Sequence, residues 1–426
     1  AADMGDIVAV RFLGRCYGLG TGVEKNETKA VELYEKAANM GDNVAVSILG
    51  ICYEYGDGVE KNETKAVELY QKAANAGNKD AVRLLGECYE FGLGVGKNET
   101  KAVELYEKAA DMGDITALKS MGQCYRIGIG LKKDVNCAVE YLRKYLMAVK
   151  DSDNDNLANA WSELAECFQE QNDIPHMINA YNEALGYYSI MAKCGEKAGF
   201  AEYRMGEIRE KGAVEIRDYR RAFQHYEKSL IIGYNRAAHK VAIFYEYGKG
   251  IDEDKSKAFD IVKKYSTQDD INNLILGVYY NYGIGTKKDN KSAISIYSQY
   301  LDNNNSFISV LAKFYLGICY YQGEGVPADV GTALSLFQRS NFPMSTFYIN
   351  AIKDPNPENL HMLSLLYSRH SIETYYLKPD YKRAFDFSKA AYELSNRKKY
   401  QMELANIYFY GRGVKKNLQK AYTLYL

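Results

Sequence analysis

Apolar and polar positions along this chain follow a helical rather than a strand period, and the pattern itself repeats. In the first copy, residues 9, 13, 16 and 17 share one helical face and residues 30, 34, 37 and 38 share another, because side chains three and four apart stack on a helix. The segment AVELYEKAA at 30–38 returns as AVELYQKAA at 66–74 and AVELYEKAA at 102–110, at intervals of 36 residues. A fixed period of that size marks a stacked array in which each unit hides its apolar face against its neighbours. Each unit is therefore expected to be two facing amphipathic helices. Gly14 and Ala30 would allow close helix contact, and Tyr17 and Tyr34 would supply most of the buried area. The glycines at 20 and 22 stand where the first helix must stop, a place that often needs positive φ. Asn26 and Thr28 offer N-cap oxygens for the second helix.

The register is followed by measuring from the Gly14 position to the Ala30 position. It is 16 residues for Gly14/Ala30, Gly50/Ala66, Gly86/Ala102, Gly122/Ala138, Gly206/Ala222, Ala242/Ala258, Gly277/Ala293, Gly317/Ala333 and Ala405/Ala421. Ala165/Ala180 is one shorter and lacks the Gly-x-Gly loop, and Ser364/Ala384 is longer through His370–Asp380. The expected units are 9–44, 45–80, 81–116, 117–152, 157–198, 201–236, 237–271, 272–311, 312–352, 359–399 and an incomplete 400–426, within one array spanning 1–426. Polar connectors fall at 150–156, 302–306 and 354–357, and 151–156 is the expected hinge. The opening AADMGD repeats residues 109–114, and the chain stops inside a second helix, so the array is expected to be cut mid-unit at both ends.

The order Ala-x3-Leu-Gly-x2-Tyr-x2-Gly-x-Gly-Val, then Lys-Ala-x3-Tyr-x2-Lys-Ala-Ala-x2-Gly, resembles the Sel-one-like repeat (SLR) family, a relative of the tetratricopeptide repeats; 157–198 looks more like a plain tetratricopeptide unit. The resemblance implies an all-α, right-handed α/α superhelical solenoid of about eleven helix-turn-helix repeats. It also implies an adaptor or scaffold without chemistry of its own.

Composition agrees with helix and narrows the partner. The chain has six prolines, and runs of alternating Val, Ile and Thr are absent. Lys+Arg number 54 and Asp+Glu 55, so nothing attracts nucleic acid or anionic lipid globally. No apolar stretch approaches the roughly 20 residues of a membrane helix, and no basic-then-apolar signal opens the sequence. Of eight cysteines, Cys16, Cys52, Cys88, Cys124 and Cys319 share one repeat phase. Equivalent positions in successive units lie beyond the roughly 7 Å reach of a disulfide, so these thiols are expected to be reduced core residues in a cytoplasmic protein. A signal lying upstream would instead place the chain in the ER lumen or outside the cell.

Candidate chemistry is sparse. The five histidines, His176, His225, His239, His361 and His370, are scattered and make no metal-ligand spacing, so no metal, cofactor or catalytic residue is expected. Gly20-x-Gly22 follows a helix and lacks the Gly-Lys-Ser/Thr of a phosphate loop. Asn26, Asn62 and Asn98 begin glycosylation sequons, as do Asn290 and Asn304, yet these positions are also wanted for helix capping. Of 39 tyrosines, those at 17, 53, 89, 125, 245, 280, 320 and 408 keep the repeat phase and are expected in the core, not as a base-stacking ladder.

Comparison of units separates scaffold from surface. The second helix is almost copied, whereas the first varies at Arg11/Ser47/Arg83/Lys119, Arg15/Ile51/Glu87/Gln123, Gly18/Glu54/Glu90/Arg126 and Leu19/Tyr55/Phe91/Ile127. Spacings of four, seven and eight put these on one face, away from the Leu13/Tyr17 face, with an aromatic edge continuing through Tyr247, Tyr282, Gln322 and Tyr410. In the tetratricopeptide relatives the corresponding face lines the concave groove. The stripe is therefore the expected site for a protein or peptide partner. Its residues are expected to be removable at little cost in stability.

The leading functional expectation is a non-catalytic interaction scaffold, the repeat region of a larger signalling or assembly protein. A lumenal adaptor of ubiquitin-ligase quality control is the alternative within binding modules. A secreted bacterial-type hydrolase or virulence factor is the alternative of another class, and the paired in-unit cysteines of such arrays are missing here.

Overall fold

The computed structural model describes residues 6–149, 154–195, 197–212, 214–301, 307–368 and 380–426. Among these residues the chain is helical throughout, with no strand. Two compact units are present, residues 1–217 and 218–426.

The first unit holds α1 (Ile7–Leu19), α2 (Glu27–Asn39), α3 (Asn43–Tyr55), α4 (Glu63–Asn75), α5 (Lys79–Phe91), α6 (Glu99–Asp111), α7 (Ile115–Ile127), α8 (Val135–Ala148), α9 (Asn154–Glu170), α10 (Ile174–Cys194) and α11 (Ala198–Lys211). The second holds α12 (Tyr219–Ile232), α13 (Ala238–Tyr247), α14 (Lys255–Tyr265), α15 (Asp270–Tyr282), α16 (Asn290–Ser298), α17 (Phe307–Gln322), α18 (Val330–Ser340), α19 (Ser345–Lys353), α20 (Pro357–Ser368), α21 (Tyr381–Leu394), α22 (Lys398–Tyr410) and α23 (Leu418–Tyr425). Within each unit every helix packs on the next in sequence, which makes a stack of helix pairs.

The Gly/Ala register marks the seam of each pair. A Cβ on Gly86 would stand 2.7 Å from the Tyr106 ring, and one on Gly50 2.4 Å from the Tyr70 ring. The glycine therefore lets the second-helix tyrosine lie flat against the first helix, where Tyr70 and Tyr106 are wholly buried. The Gly-x-Gly loop does two jobs, shown at Gly92 and Gly94. Gly92, at φ 74°, ends α5 with its N–H on the Cys88 carbonyl at 2.9 Å. Gly94, at φ 65°, lies so close to the start of α4 that a Cβ would meet the Glu63 carbonyl oxygen at 2.2 Å. The second glycine is thus a contact between repeats as well as a turn.

Capping falls to one residue of each expected pair. Asn26, Asn62 and Asn98 each accept from the backbone N–H three residues on, at 2.9, 2.9 and 3.0 Å. Thr28 lies inside the first turn of α2 and is not the cap.

Several sequence expectations need correction. The tyrosines at 17, 53, 89, 125, 245, 280, 320 and 408 are half-buried rather than core. Several of these rings leave part of their surface to the second-helix lysines: Lys65 Nζ lies 4.0 Å from the Tyr53 ring centre and Lys101 Nζ 4.1 Å from that of Tyr89. The buried tyrosines stand at other positions: Tyr70 and Tyr106 on second helices, and Tyr279, Tyr315 and Tyr367 on first helices of the second unit. Of the polar run 150–156, residues 154–156 belong to α9, which packs on both α8 and α10. Residues 150–153, the 302–306 connector with Asn304, and His370 with most of its loop lie outside the described residues. In the pair α9/α10, which lacks Gly-x-Gly, Asn172 takes the left-handed position at φ 58° and Asp173 caps α10. The helix α19 sits unpaired between two repeats and buries Tyr348 against Phe337, ring centres 4.7 Å apart.

Candidate functional site

The candidate stripe lies on the first helices, and its four rows behave differently. The first row is structural. Asp42 caps α3 with one carboxylate oxygen and receives Arg11 Nε at 2.7 Å on the other. Asp114 does the same for α7 and Arg83, at 3.2 Å, and Arg83 also pairs with Glu87. Arg83 thereby links α5 to the start of the next repeat, and Ser47 is buried. Lys119 Nζ reaches Glu163 of α9 at 3.5 Å, and Gln123 Nε2 donates to the same carboxylate at 2.9 Å.

In the second row Arg15 is exposed and Ile51 half-buried. Burial pushes the Glu87 carboxyl above the usual range, against the pull of Arg83. The third row satisfies buried hydroxyls. Tyr70 donates to Glu54 at 2.7 Å and Tyr106 to Glu90 at 2.6 Å, while Arg126 pairs with Glu166 at 3.0 Å. The sequence reading places Glu54 and Glu90 in the partner-binding stripe. Their signal was available: each stands 16 residues before a core tyrosine.

The fourth row is open. Leu19, Tyr55, Phe91 and Ile127 are 65, 67, 58 and 58% exposed, each the last residue of its first helix. Farther along, Tyr410 is exposed, with the Arg412 guanidinium 5.1 Å from its ring centre. Tyr247 is partly open, and burial with the neighbouring Glu246 raises its hydroxyl pKa. Tyr282 and Gln322 instead turn inward: the Tyr282 hydroxyl is buried, and Gln322 Nε2 donates to Tyr367 at 2.7 Å. The aromatic edge is therefore not continuous through the second unit.

Pockets open between consecutive first helices. One of about 520 Å³ lies between α1 and α3 over Tyr34, and another of about 460 Å³ between α20 and α22. Among the described residues no cluster of His, Cys, Asp or Glu could hold a metal ion, and no helix is long and apolar enough to cross a membrane.

Stacked helix pairs with these seams define an α/α repeat solenoid of the interaction-scaffold class. The model of the Sel1 repeat matches residues 7–42, 44–78, 79–114, 116–144, 199–230, 235–264, 274–304, 310–340, 363–396 and 399–426, and the chain belongs to that family. Its members are in general non-catalytic interaction scaffolds. The stretch between 144 and 199 falls outside the matches and contains α9 and α10, the pair without Gly-x-Gly.

Among solved structures the chain is similar to c5321, a protective antigen present in uropathogenic Escherichia coli strains and displaying an SLR fold. That pair is 21% identical over 99% of this chain and 84% of the other, with a TM-score of 0.36. A Sel1 repeat protein from Oxalobacter formigenes is 28% identical over 53% of this chain and 88% of its own, with a TM-score of 0.42. Comparison with curated protein sequences gave no match.

Proposed function

We propose that this chain is a non-catalytic scaffold that holds a segment of a partner protein along the first-helix ends of its leading repeats. The reading rests on one observation: Leu19, Tyr55, Phe91 and Ile127 recur once per repeat at the same position and are all exposed. Several residues of the rows beside them, Arg83, Glu54 and Glu90 among them, are taken up by internal ion pairs and hydrogen bonds, while this row is open to a ligand. Large apolar and aromatic side chains on a rigid frame are the usual anchors of such contacts.

The test is selection of short displayed random peptides on the full chain. Changing Tyr55, Phe91 and Ile127 together to Ala should weaken the selected peptides about tenfold or more, with the melting temperature held. A matched variant altering Lys101, Glu104 and Lys108 on α6 should bind normally. Binding lost in the second variant and kept in the first would place the site elsewhere. The free thiols fit a reducing compartment and support a cytoplasmic setting.

A further inference from the structure

The first repeat departs from the next two at one place. Gly18 occupies in α1 the position that Glu54 occupies in α3 and Glu90 in α5. In the later repeats that carboxylate accepts the hydroxyl proton of the core tyrosine, at 2.7 and 2.6 Å. Tyr34, the corresponding tyrosine, is 6% exposed, and its hydroxyl has no hydrogen-bond partner among the described residues. It faces the pocket of about 520 Å³ between α1 and α3.

The walls of that pocket combine charge with apolar surface. Arg11 and Arg15 line one side; Arg11 is held by Asp42, while Arg15 carries no ion pair among the described residues. Both guanidiniums act on the Tyr34 hydroxyl, pulling its pKa down against the larger upward effect of burial. Phe12, Leu19, Ile48 and Ile51 supply apolar surface. The two carboxylates at the rim are countered by Lys25, which pairs with Glu27 at 2.6 Å and feels Asp57.

We infer that the α1/α3 pocket is a receptor for an acidic side chain of a partner polypeptide, whose carboxylate accepts from the Tyr34 hydroxyl and pairs with Arg15 as an adjoining apolar residue packs on Ile48 and Ile51. The chain itself provides the precedent, since its own Glu54 and Glu90 fill the equivalent place in the next two repeats. Charge complementarity selects a carboxylate over an amine or amide. This inference rests on the scaffold reading and names the ligand chemistry at one end of the same row.

Gly18→Glu gives the decisive variant. A Cβ at Gly18 would lie 3.7 Å from the Tyr34 hydroxyl, an ordinary contact, so the new carboxylate can take the place it has in the later repeats. The full chain is panned against displayed random peptides, and selected peptides are measured on wild type, Gly18→Glu, Tyr34→Phe and Arg15→Ala. The expected result is enrichment of Asp or Glu beside an apolar residue, with binding about tenfold weaker in each variant, the effect of losing one charge-assisted hydrogen bond. Gly18→Glu should also melt no lower than wild type. Replacing the selected Glu by Gln should weaken binding to wild type and leave binding to Gly18→Glu unchanged.

Peptides that depend on Tyr55 and Phe91 but show no acidic preference, or that bind Gly18→Glu normally, would overturn this inference and leave the scaffold reading standing. Failure to select any peptide would remove both. Concentration-dependent self-association abolished by Gly18→Glu would assign the pocket to a second copy of the chain and overturn the partner assignment.

Discussion

The Tyr106 hydroxyl donates to Glu90 at 2.6 Å, joining residues 16 apart in sequence across the seam of one helix pair. The ring is buried to 1% exposure, and burial followed by the hydrogen bond to Glu90 holds its hydroxyl well above the ordinary tyrosine pKa. Glu90→Ala would leave that hydroxyl buried without an acceptor, so it should lower stability by about 2 kcal/mol, the scale of a hydrogen bond to a charged group. Glu90→Gln, which keeps an acceptor, should lose less than half as much. Denaturant melts of the two variants check this; equal losses would show that side-chain packing, and not the hydroxyl, sets the cost.

The glycine under the same ring makes a steric prediction. Gly86→Ala puts a methyl 2.7 Å from Tyr106, and overpacking of this kind costs about 1–3 kcal/mol. Gly96→Ala, where nothing lies within 4 Å of the added methyl, is the control and should be nearly neutral. Thermal melts of both variants decide it.

These pairs show what the sequence could and could not convey. The helix pairs were legible because Gly/Ala spacing and apolar faces repeat, and the Gly14/Ala30 series does lie at the helix seams. The roles within the first helix were not. Glu54 and Glu90 looked variable because their position holds Gly18 in one repeat and Arg126 in another, yet each answers a different neighbour: a tyrosine hydroxyl for the glutamates, Glu166 for Arg126. The Arg83–Asp114 link spans 31 residues, a separation that no helical period marks. Arg83 and Glu90 are therefore poor choices for silent removal, contrary to the sequence expectation. Phe91 and Tyr55 remain suitable, being exposed. The helix α19 escaped notice because a nine-residue segment without a repeat copy carries no period.

Capping gives a pH dependence with a definite sign. Asp134 is held below its ordinary pKa chiefly by the Cys137 N–H, Asp289 by the Ser292 hydroxyl and Asp329 by the Thr332 hydroxyl. A carboxyl with a depressed folded pKa stabilises the fold above its unfolded value and loses that contribution as pH falls through the folded one. The melting temperature should therefore fall as pH drops below about 4, near the unfolded aspartate value. Replacing all three by Asn, which still caps, should flatten that acid limb. An unchanged slope would show that other carboxylates govern it.

The thiols provide a separate check on burial. Cys88, Cys124, Cys167 and Cys319 are buried, which pushes each up to about 12. At pH 8 only about one in ten thousand of such groups is thiolate, the reactive form. Alkylation of the native chain should modify exposed Cys194 first and spare these four. In denaturant all eight cysteines should react; fewer would indicate disulfides.

The central claim, that a partner segment lies along the first-helix ends, is tested most directly by hydrogen exchange on the chain with and without a selected peptide. Bound peptide should slow exchange at the last turns of α1, α3, α5 and α7, next to Leu19, Tyr55, Phe91 and Ile127, and leave the exposed faces of α2, α4 and α6 unchanged. Slowing confined to α2, α4 and α6 would contradict it.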